Sequence, residues 1–280
     1  MPLTLRYVVC DVFTDTPLTG NQLAVFTDGR EVDDETMQLL AREMSFSETV
    51  FVLPSEAAHA RIRIFTPAAE LPFAGHPTLG SAFVLGQPLQ LTEIRLETGA
   101  GVVPVRLERE GARVSFGWMS QPIPKWRAYE REAEVLEAVR ATGSQLPVEI
   151  YDLGPTHVFV TFDSEEDVAQ IVPDLPAIEK LAVGVNCIAG SDASWKTRMF
   201  APAYGVDEDP ATGSAAGPLA VHLVRHGKLA FGEQLEIEQG AEIGRPSKLY
   251  ARVEGEGERI DKVEVGGSAV IVARGEFRLP

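Results

Sequence analysis

Cysteine is scarce in this chain: two residues in 280, Cys10 and Cys187. Two thiols provide no disulfide framework, which suits a reducing compartment. Neither has a Cys or His neighbour at ligand spacing, so no zinc site is expected. Cys10 lies in the apolar run Tyr7-Val8-Val9-Cys10 and reads as a core residue. Positive charge is also short, with 25 Lys and Arg against 41 Asp and Glu, a formal net charge of −16. Like charge repels phosphate backbones and anionic lipid, and no basic stripe offsets it, so neither nucleic acid nor membrane is expected as a partner. No apolar run approaches the ~20 residues of a membrane helix. Residues 1–13 lack the charged-then-apolar pattern of a signal peptide. The expectation is a soluble, cytoplasmic protein.

What is present is an ordinary globular composition, 45% hydrophobic and 24% charged, long enough for one large domain or two of usual size. Short segments rich in Val, Ile and Phe dominate the first part: 7–13, 23–26, 49–53, 60–65, 94–97, 102–107 and 113–116. Helical spacing predicts helices at 33–44, on Met37, Leu40, Ala41 and Met44, and at 130–141, on Ala133, Leu136 and Val139. Two more are predicted just after glycines, 77–85 stopped by Gly86 and 214–226 stopped by Gly227. The stretch Gln121-Pro122-Ile123-Pro124-Lys125 breaks both periodicities and reads as a linker. It divides the chain into lobes of 1–120 and 121–280, with a last strand at 269–273 free to return to the first lobe.

A linker near the middle invites a search for repetition. Arg63-Ile64-Phe65-Thr66-Pro67 resembles Arg198-Met199-Phe200-Ala201-Pro202. Each is followed by a glycine that opens a helix, in Ala74-Gly75-His76-Pro77 and in Thr212-Gly213-Ser214-Ala215. Earlier in each half, Gly20-Asn21-Gln22-Leu23 has a partner in Gly154-Pro155-Thr156-His157. Matching landmarks in one order argue for two similar lobes, against chance likeness of short Gly/Pro motifs.

The repeated loops point to anion chemistry. A helix N-terminus offers unpaired N–H groups and partial positive charge, suited to a small carboxylate or to the charge left by C–H proton removal. Gly75 and Gly213 allow close backbone approach, and Pro77 suits a first helical turn. An ordinary turn and cap explains each loop taken singly. Proton chemistry also needs titratable groups, and His76 and Asp209 lie on these loops. Glu48, in Ser45-Phe46-Ser47-Glu48-Thr49-Val50, stands at the entrance to an apolar strand where Glu is depleted. Two readings fit it: a partly buried acid/base of raised pKa, or an edge charge that blocks aggregation. His222 and His226 have the i, i+4 spacing of metal ligands, but position 223 is Leu and no third ligand is evident. His157 stands at a strand start, with nothing in the pattern to assign it a substrate contact.

Five segments then resemble the signatures of the PhzF-like, phenazine-biosynthesis family. They are Asp11-Val12-Phe13-Thr14, Thr19-Gly20-Asn21-Gln22-Leu23, Ser45-Phe46-Ser47-Glu48-Thr49, Leu71-Pro72-Phe73-Ala74-Gly75-His76-Pro77-Thr78 and Glu208-Asp209-Pro210-Ala211-Thr212-Gly213-Ser214. The resemblance implies an α+β fold of the diaminopimelate-epimerase type: two lobes, each a curved mixed sheet around a central helix, with the substrate cleft between them. It implies a cofactor-independent isomerase, without metal, flavin or pyridoxal, that shifts a proton on a small unsaturated carboxylic acid like trans-2,3-dihydro-3-hydroxyanthranilate. Glu48 matches the family's acid/base, and His76, Asp209 and Ser214 match its other polar residues. Asn21, Gly75, Pro77, Thr212 and Gly213 are the expected substrate-binding positions. Racemases of the same fold carry a cysteine just before each loop glycine. Those positions here are Ala74 and Thr212, so two-thiol stereoinversion is not expected. A carboxylate-binding protein without chemistry is the competing reading, and a homodimer is the default assembly.

Overall fold

The computed structural model describes residues 3–279. The first half runs β1 (Leu3–Val12), β2 (Asn21–Phe26), α1 (Asp34–Met44), β3 (Glu48–Leu53), β4 (Ala60–Phe65), β5 (Glu70–Leu71), α2 (Gly75–Leu89), β6 (Glu93–Thr98), β7 (Gly101–Glu110) and β8 (Arg113–Gln121). The second runs β9 (Lys125–Ala128), α3 (Glu132–Ala138), β10 (Glu149–Asp152), β11 (Thr156–Thr161), α4 (Glu165–Ala169), α5 (Leu175–Leu181), β12 (Gly184–Ser191), β13 (Ser194–Ala201), β14 (Val206–Asp209), α6 (Gly213–Arg225), β15 (Leu235–Gln239), β16 (Ser247–Glu256) and β17 (Arg259–Gly267). The chain closes on β18 (Ala269–Leu279). Its contacts divide it into two compact units, Met1–Ser120 with Gly266–Pro280, and Gln121–Val265. The second unit ends at Val265, and the last strand belongs to the first unit, the return that the sequence left open.

In the first unit, β1 pairs antiparallel with both β18 and β2. β2 runs parallel to β3, β3 antiparallel to β4, β4 parallel to β6, and β6 antiparallel to β7. The second unit repeats this alternation: β10–β11 antiparallel, β11–β12 parallel, β12–β13 antiparallel, β13–β15 parallel, β15–β16 antiparallel. The repeat reaches individual side chains. Arg63 packs over the Phe65 ring and bonds Glu70, while Arg198 packs over the Phe200 ring and bonds Glu208. The resemblance between 63–67 and 198–202 is therefore a shared strand and a shared ion pair.

Burial explains the central helices. In α2 nearly every residue from Gly75 to Gly86 is buried, and the helix packs on β1, β2, β3, β6, β7 and β18. A helix that is apolar all round belongs in a core rather than at a surface. It does not stop at Gly86 as its sequence suggests. A Cβ there would lie 2.4 Å from Leu107 Cδ1, so Gly86 is a close-packing residue, and the helix continues to Leu89 with Gln90 as its left-handed cap. Pro77 stands third in the helix rather than first, and is tolerated because first-turn N–H groups have no helical acceptor. α6 is equally buried and packs on β11 and β16.

The amphipathic helix α1 follows its sequence closely. Asp33 caps it by accepting from Thr36 N, Asp34 and Glu35 fill the first turn, and Met37, Leu40 and Ala41 turn inward. They join Phe26, Phe51 and Phe65 in the first unit's core, where Phe26 stacks on Phe51 at 4.7 Å. Both thiols are wholly buried and free, and burial pushes them well above the usual range. The helices α4 and α5 were not foreseen, and α3 is shorter than the 130–141 its spacing suggested. Among the described residues, no helix is long and apolar enough to cross a membrane.

Candidate functional site

Glu48 reaches its place through the end of α1. Ser45 caps that helix in a left-handed conformation, φ 54°, its N–H donating to Ala41 O. The chain then turns, and β3 opens on Glu48, opposite Leu23 of β2. The Glu48 side chain is 14% exposed, enough for a ligand to meet it while most of it is held in protein.

His76, the second residue of α2, is buried beside it, with Nε2 at 3.5 Å from Glu48 Oε2. On the other side of the ring, Asn21 Nδ2 lies 3.2 Å from Nδ1, and Ser47 Oγ donates to Asn21 Oδ1 at 3.3 Å. The Asn21 amide thus lies on the Nδ1 side of the ring, while Nε2, which has no hydrogen-bond partner, faces the Glu48 carboxylate. Burial lowers the His76 pKa to about 3, a backbone hydrogen bond at Gln22 working the other way. The imidazole is neutral near pH 7. A partly exposed carboxylate set beside a neutral, buried imidazole is equipped to give and take a proton.

Gly75 and Pro77 complete the first turn of α2. Its cap residue Ala74 is extended, contributes no side-chain bond, and no acidic residue lies in that turn. The turn itself thus places no negative charge on its amide end.

The second unit builds a corresponding cluster at the N-terminus of α6. Thr212 caps the helix, and its hydroxyl donates to Asp209 Oδ2 at 2.6 Å. Gln239, at the end of β15, holds this loop with all of its amide. Its Nε2 donates to Asp209 O at 2.7 Å and to Thr212 Oγ1 at 2.9 Å, and its Oε1 accepts from Thr212 N at 3.0 Å. Because Gln239 fills an acceptor site on Thr212, the Thr212 hydroxyl can only give its proton to Asp209. Gln121 Nε2 donates to Gly213 O at 2.8 Å, and Ser214 Oγ lies 3.1 Å from His157 Nε2. Ala74 and Thr212, the positions of the racemase cysteines, are thus equivalent caps, and neither offers a thiol.

Gly240 supports the loop from beneath. Its φ is +80°, and a Cβ there would lie 2.5 Å from both Pro210 O and Arg245 O. Gly240→Ala combines left-handed strain with backbone overlap, so a loss of about 2–4 kcal/mol is expected. Denaturant unfolding of the variant measures it; a loss under about 0.5 kcal/mol would refute the packing argument.

The histidine pair on α6 also finds its purpose. A third group was not evident in the sequence, yet β10 brings Glu149 to it. Glu149 Oε2 accepts from Arg225 Nη1 at 2.6 Å, Tyr151 OH at 2.8 Å and His226 Nε2 at 3.0 Å, and His222 Nδ1 lies at 3.3 Å. The ligand atoms of Glu149, His222 and His226 lie within 4.8 Å of one another. The Arg225 guanidinium already supplies the cation, so the arrangement is an internal ion cluster locking α6 to β10. Burial works against the Glu149 charge, but the hydrogen bonds from His222, Arg225, His226 and Tyr151 outweigh it and hold the carboxyl well below its ordinary range.

Asn21, Glu48 and His76 thus meet in one cluster, and Asp209, Thr212, Gly213 and Ser214 in another. Ser47, Gln121 and Gln239 were not foreseen. Ser47 adjoins Glu48 in a recognisable segment, whereas Gln121 and Gln239 reach α6 from distant strands and leave no local signal.

The phenazine biosynthesis-like family model, PhzC-PhzF, matches residues 10–275. A trans-2,3-dihydro-3-hydroxyanthranilate isomerase of Pseudomonas aeruginosa is 52% identical over 98% of this chain and 99% of that protein. A PhzF-family phenazine biosynthesis protein of Bacillus anthracis superposes with a TM-score of 0.87, at 24% identity, covering 98% of this chain and 99% of that one. A hydroxyproline epimerase of Agrobacterium vitis shares the fold, with a TM-score of 0.70 at 12% identity over 99% of this chain and 93% of that one. The α+β fold is therefore one that this epimerase also has. The chain belongs to the phenazine biosynthesis-like family of PhzF-type isomerases.

Proposed function

We propose that the protein shifts a proton on a small unsaturated carboxylic acid of the trans-2,3-dihydro-3-hydroxyanthranilate type, with Glu48 as the acid/base and no cofactor in the reaction. Glu48, ionised, takes a proton from a carbon activated by a neighbouring π system. The electron pair left behind delocalises, and the same carboxyl returns the proton to a different carbon. Nothing is oxidised or reduced. The observation that carries this reading is the Glu48 carboxylate set 3.5 Å from the neutral, buried His76. His76 holds the carboxylate in place and stays uncharged itself.

Asp209 and Ser214, with the first-turn amides of α2 and α6, bind the substrate's carboxylate and polar groups and spread the developing charge. That both clusters act on one substrate belongs to the proposal, on the strength of the family resemblance. Two buried free cysteines suit a reducing, cytoplasmic setting.

The test is incubation with trans-2,3-dihydro-3-hydroxyanthranilate in deuterated water, followed by proton NMR. Loss of substrate signals with deuterium uptake at a ring carbon supports the reading. Saturable binding without turnover would favour a carboxylate-binding protein instead. No binding at all would remove this substrate class.

A further inference from the structure

His157 is the second buried histidine beside a helix N-terminus, and the proposed proton transfer leaves it without a task. It is 1% exposed, on β11, with Nε2 at 3.1 Å from Ser214 Oγ. Its other ring nitrogen, Nδ1, has no hydrogen-bond partner. The space there is closed: a Cβ on Gly184, opposite His157 on β12, would lie 2.9 Å from Nδ1 and 2.7 Å from Met199 Cε.

A neutral imidazole carries one proton. Placed on Nδ1, it would be a buried donor with no acceptor, which is the costlier defect. On Nε2 it has a partner in Ser214 Oγ, and the orphan is only a lone pair on Nδ1. Burial lowers the His157 pKa to about 4, so the ring is neutral near pH 7 and this choice applies.

We infer that His157 donates from Nε2 to Ser214 Oγ and so leaves the Ser214 O–H free to donate to an acceptor oxygen of the ligand, such as a carboxylate. His157 is thus a positioning residue that acts through Ser214. The inference rests on the proposed carboxylate substrate for the identity of the acceptor, but the tautomer does not depend on it. The repeat supplies a contrast. The first-unit position equivalent to His157 is Leu23, and there the residue equivalent to Ser214 is His76. Leucine at this position is therefore compatible with the strand pairing.

Three proteins test this: wild type, His157→Leu and His157→Gln. The Gln variant keeps an amide donor near the place of Nε2; the Leu variant removes it. Long-range 15N correlation spectra distinguish a protonated ring nitrogen from an unprotonated one, and the expected result is a proton on Nε2 and none on Nδ1. Binding is read with 3-hydroxyanthranilate, an aromatic analogue with the same carboxylate but no ring proton to transfer, so turnover is not required. Its affinity should fall about tenfold in His157→Leu, the worth of one hydrogen bond to a charged group. It should return to within about threefold of wild type in His157→Gln, with thermal unfolding showing that all three fold. A proton on Nδ1, or equal affinity in the Leu variant, would overturn the inference. Loss of affinity in both variants alike would reduce His157 to packing. Failure of the functional reading is separate: it shows as analogue binding with no substrate turnover by the wild type.

Discussion

Glu48→Gln should lower kcat by about 10²–10⁴-fold, the usual worth of a positioned general base. The substitution keeps size and shape and deletes only basicity. Gln fills the same place beside His76, whose Nε2 lies 3.5 Å from the Glu48 carboxylate, so the Ser47–Asn21–His76 arrangement has no reason to move. KM should then change little, and stability by no more than about 0.5 kcal/mol, as for a substitution that opens no cavity and orphans no group. Glu48→Asp is the companion: it keeps the carboxylate but withdraws it by one methylene, and misplacement of about 1 Å costs on the order of 10²-fold. Initial rates of all three proteins, measured by loss of substrate absorbance, give the order. A Gln variant within tenfold of wild type would remove Glu48 as the base. A fall in affinity equal to the fall in rate would make it a binding group.

Acid should weaken both units well before ordinary carboxylates titrate. The first unit buries one histidine, His76, with its pKa lowered to about 3; the second buries His157, lowered to about 4, and His222, also lowered by burial, against an ordinary 6.5. Between those values the unfolded chain binds the proton and the folded one does not. The stability is therefore complete above about pH 6.5 and is lost as pH falls towards the folded pKa. His76 and His157 each contribute a slope of about 1.4 kcal/mol per pH unit, so each withdraws up to about 3 kcal/mol between pH 6.5 and 4.5. That is a large share of the margin of a typical domain. Glu149, whose folded pKa is depressed, works in the same direction at lower pH, because its stability is lost as pH falls through that value. Urea unfolding at pH 7.0, 6.0, 5.0 and 4.5 measures the slope, and His157→Leu should reduce it by about 1.4 kcal/mol per pH unit. A flat profile down to pH 4.5 would show that these rings protonate without cost.

Much of this molecule was readable from its chain. The helix α1 carries its start, its inward face and its end in neighbouring residues, so local rules sufficed. The duplicated Arg63 and Arg198 segments, and the Gly75 and Gly213 loops, were visible because duplication leaves like residues in like order. Glu48, His76, Asp209 and Ser214 could be singled out because each lies in a dense, recognisable segment. Where local rules compete with packing, the reading failed. Gly86 has the character of a helix stop, but the approach of Leu107 is what calls for glycine there. The return of the last strand to the first unit was open from the sequence, but its pairing with β1, at the other end of the chain, was not written there.

By itself, then, the sequence determined the family, the two-lobed α+β architecture, the residues of both helix-end clusters and the absence of a thiol pair. Those properties reside in residue identity and local order. Tertiary structure alone decided which residues support them: Asn21 orienting the His76 ring, Gln239 holding Thr212 to Asp209, and Glu149 completing a histidine pair that resembled a metal site. It also decided the protonation of the buried histidines His76, His157 and His222. Burial is a property of everything packed around a ring, contributed by strands far away in the chain, and no segment of sequence contains it.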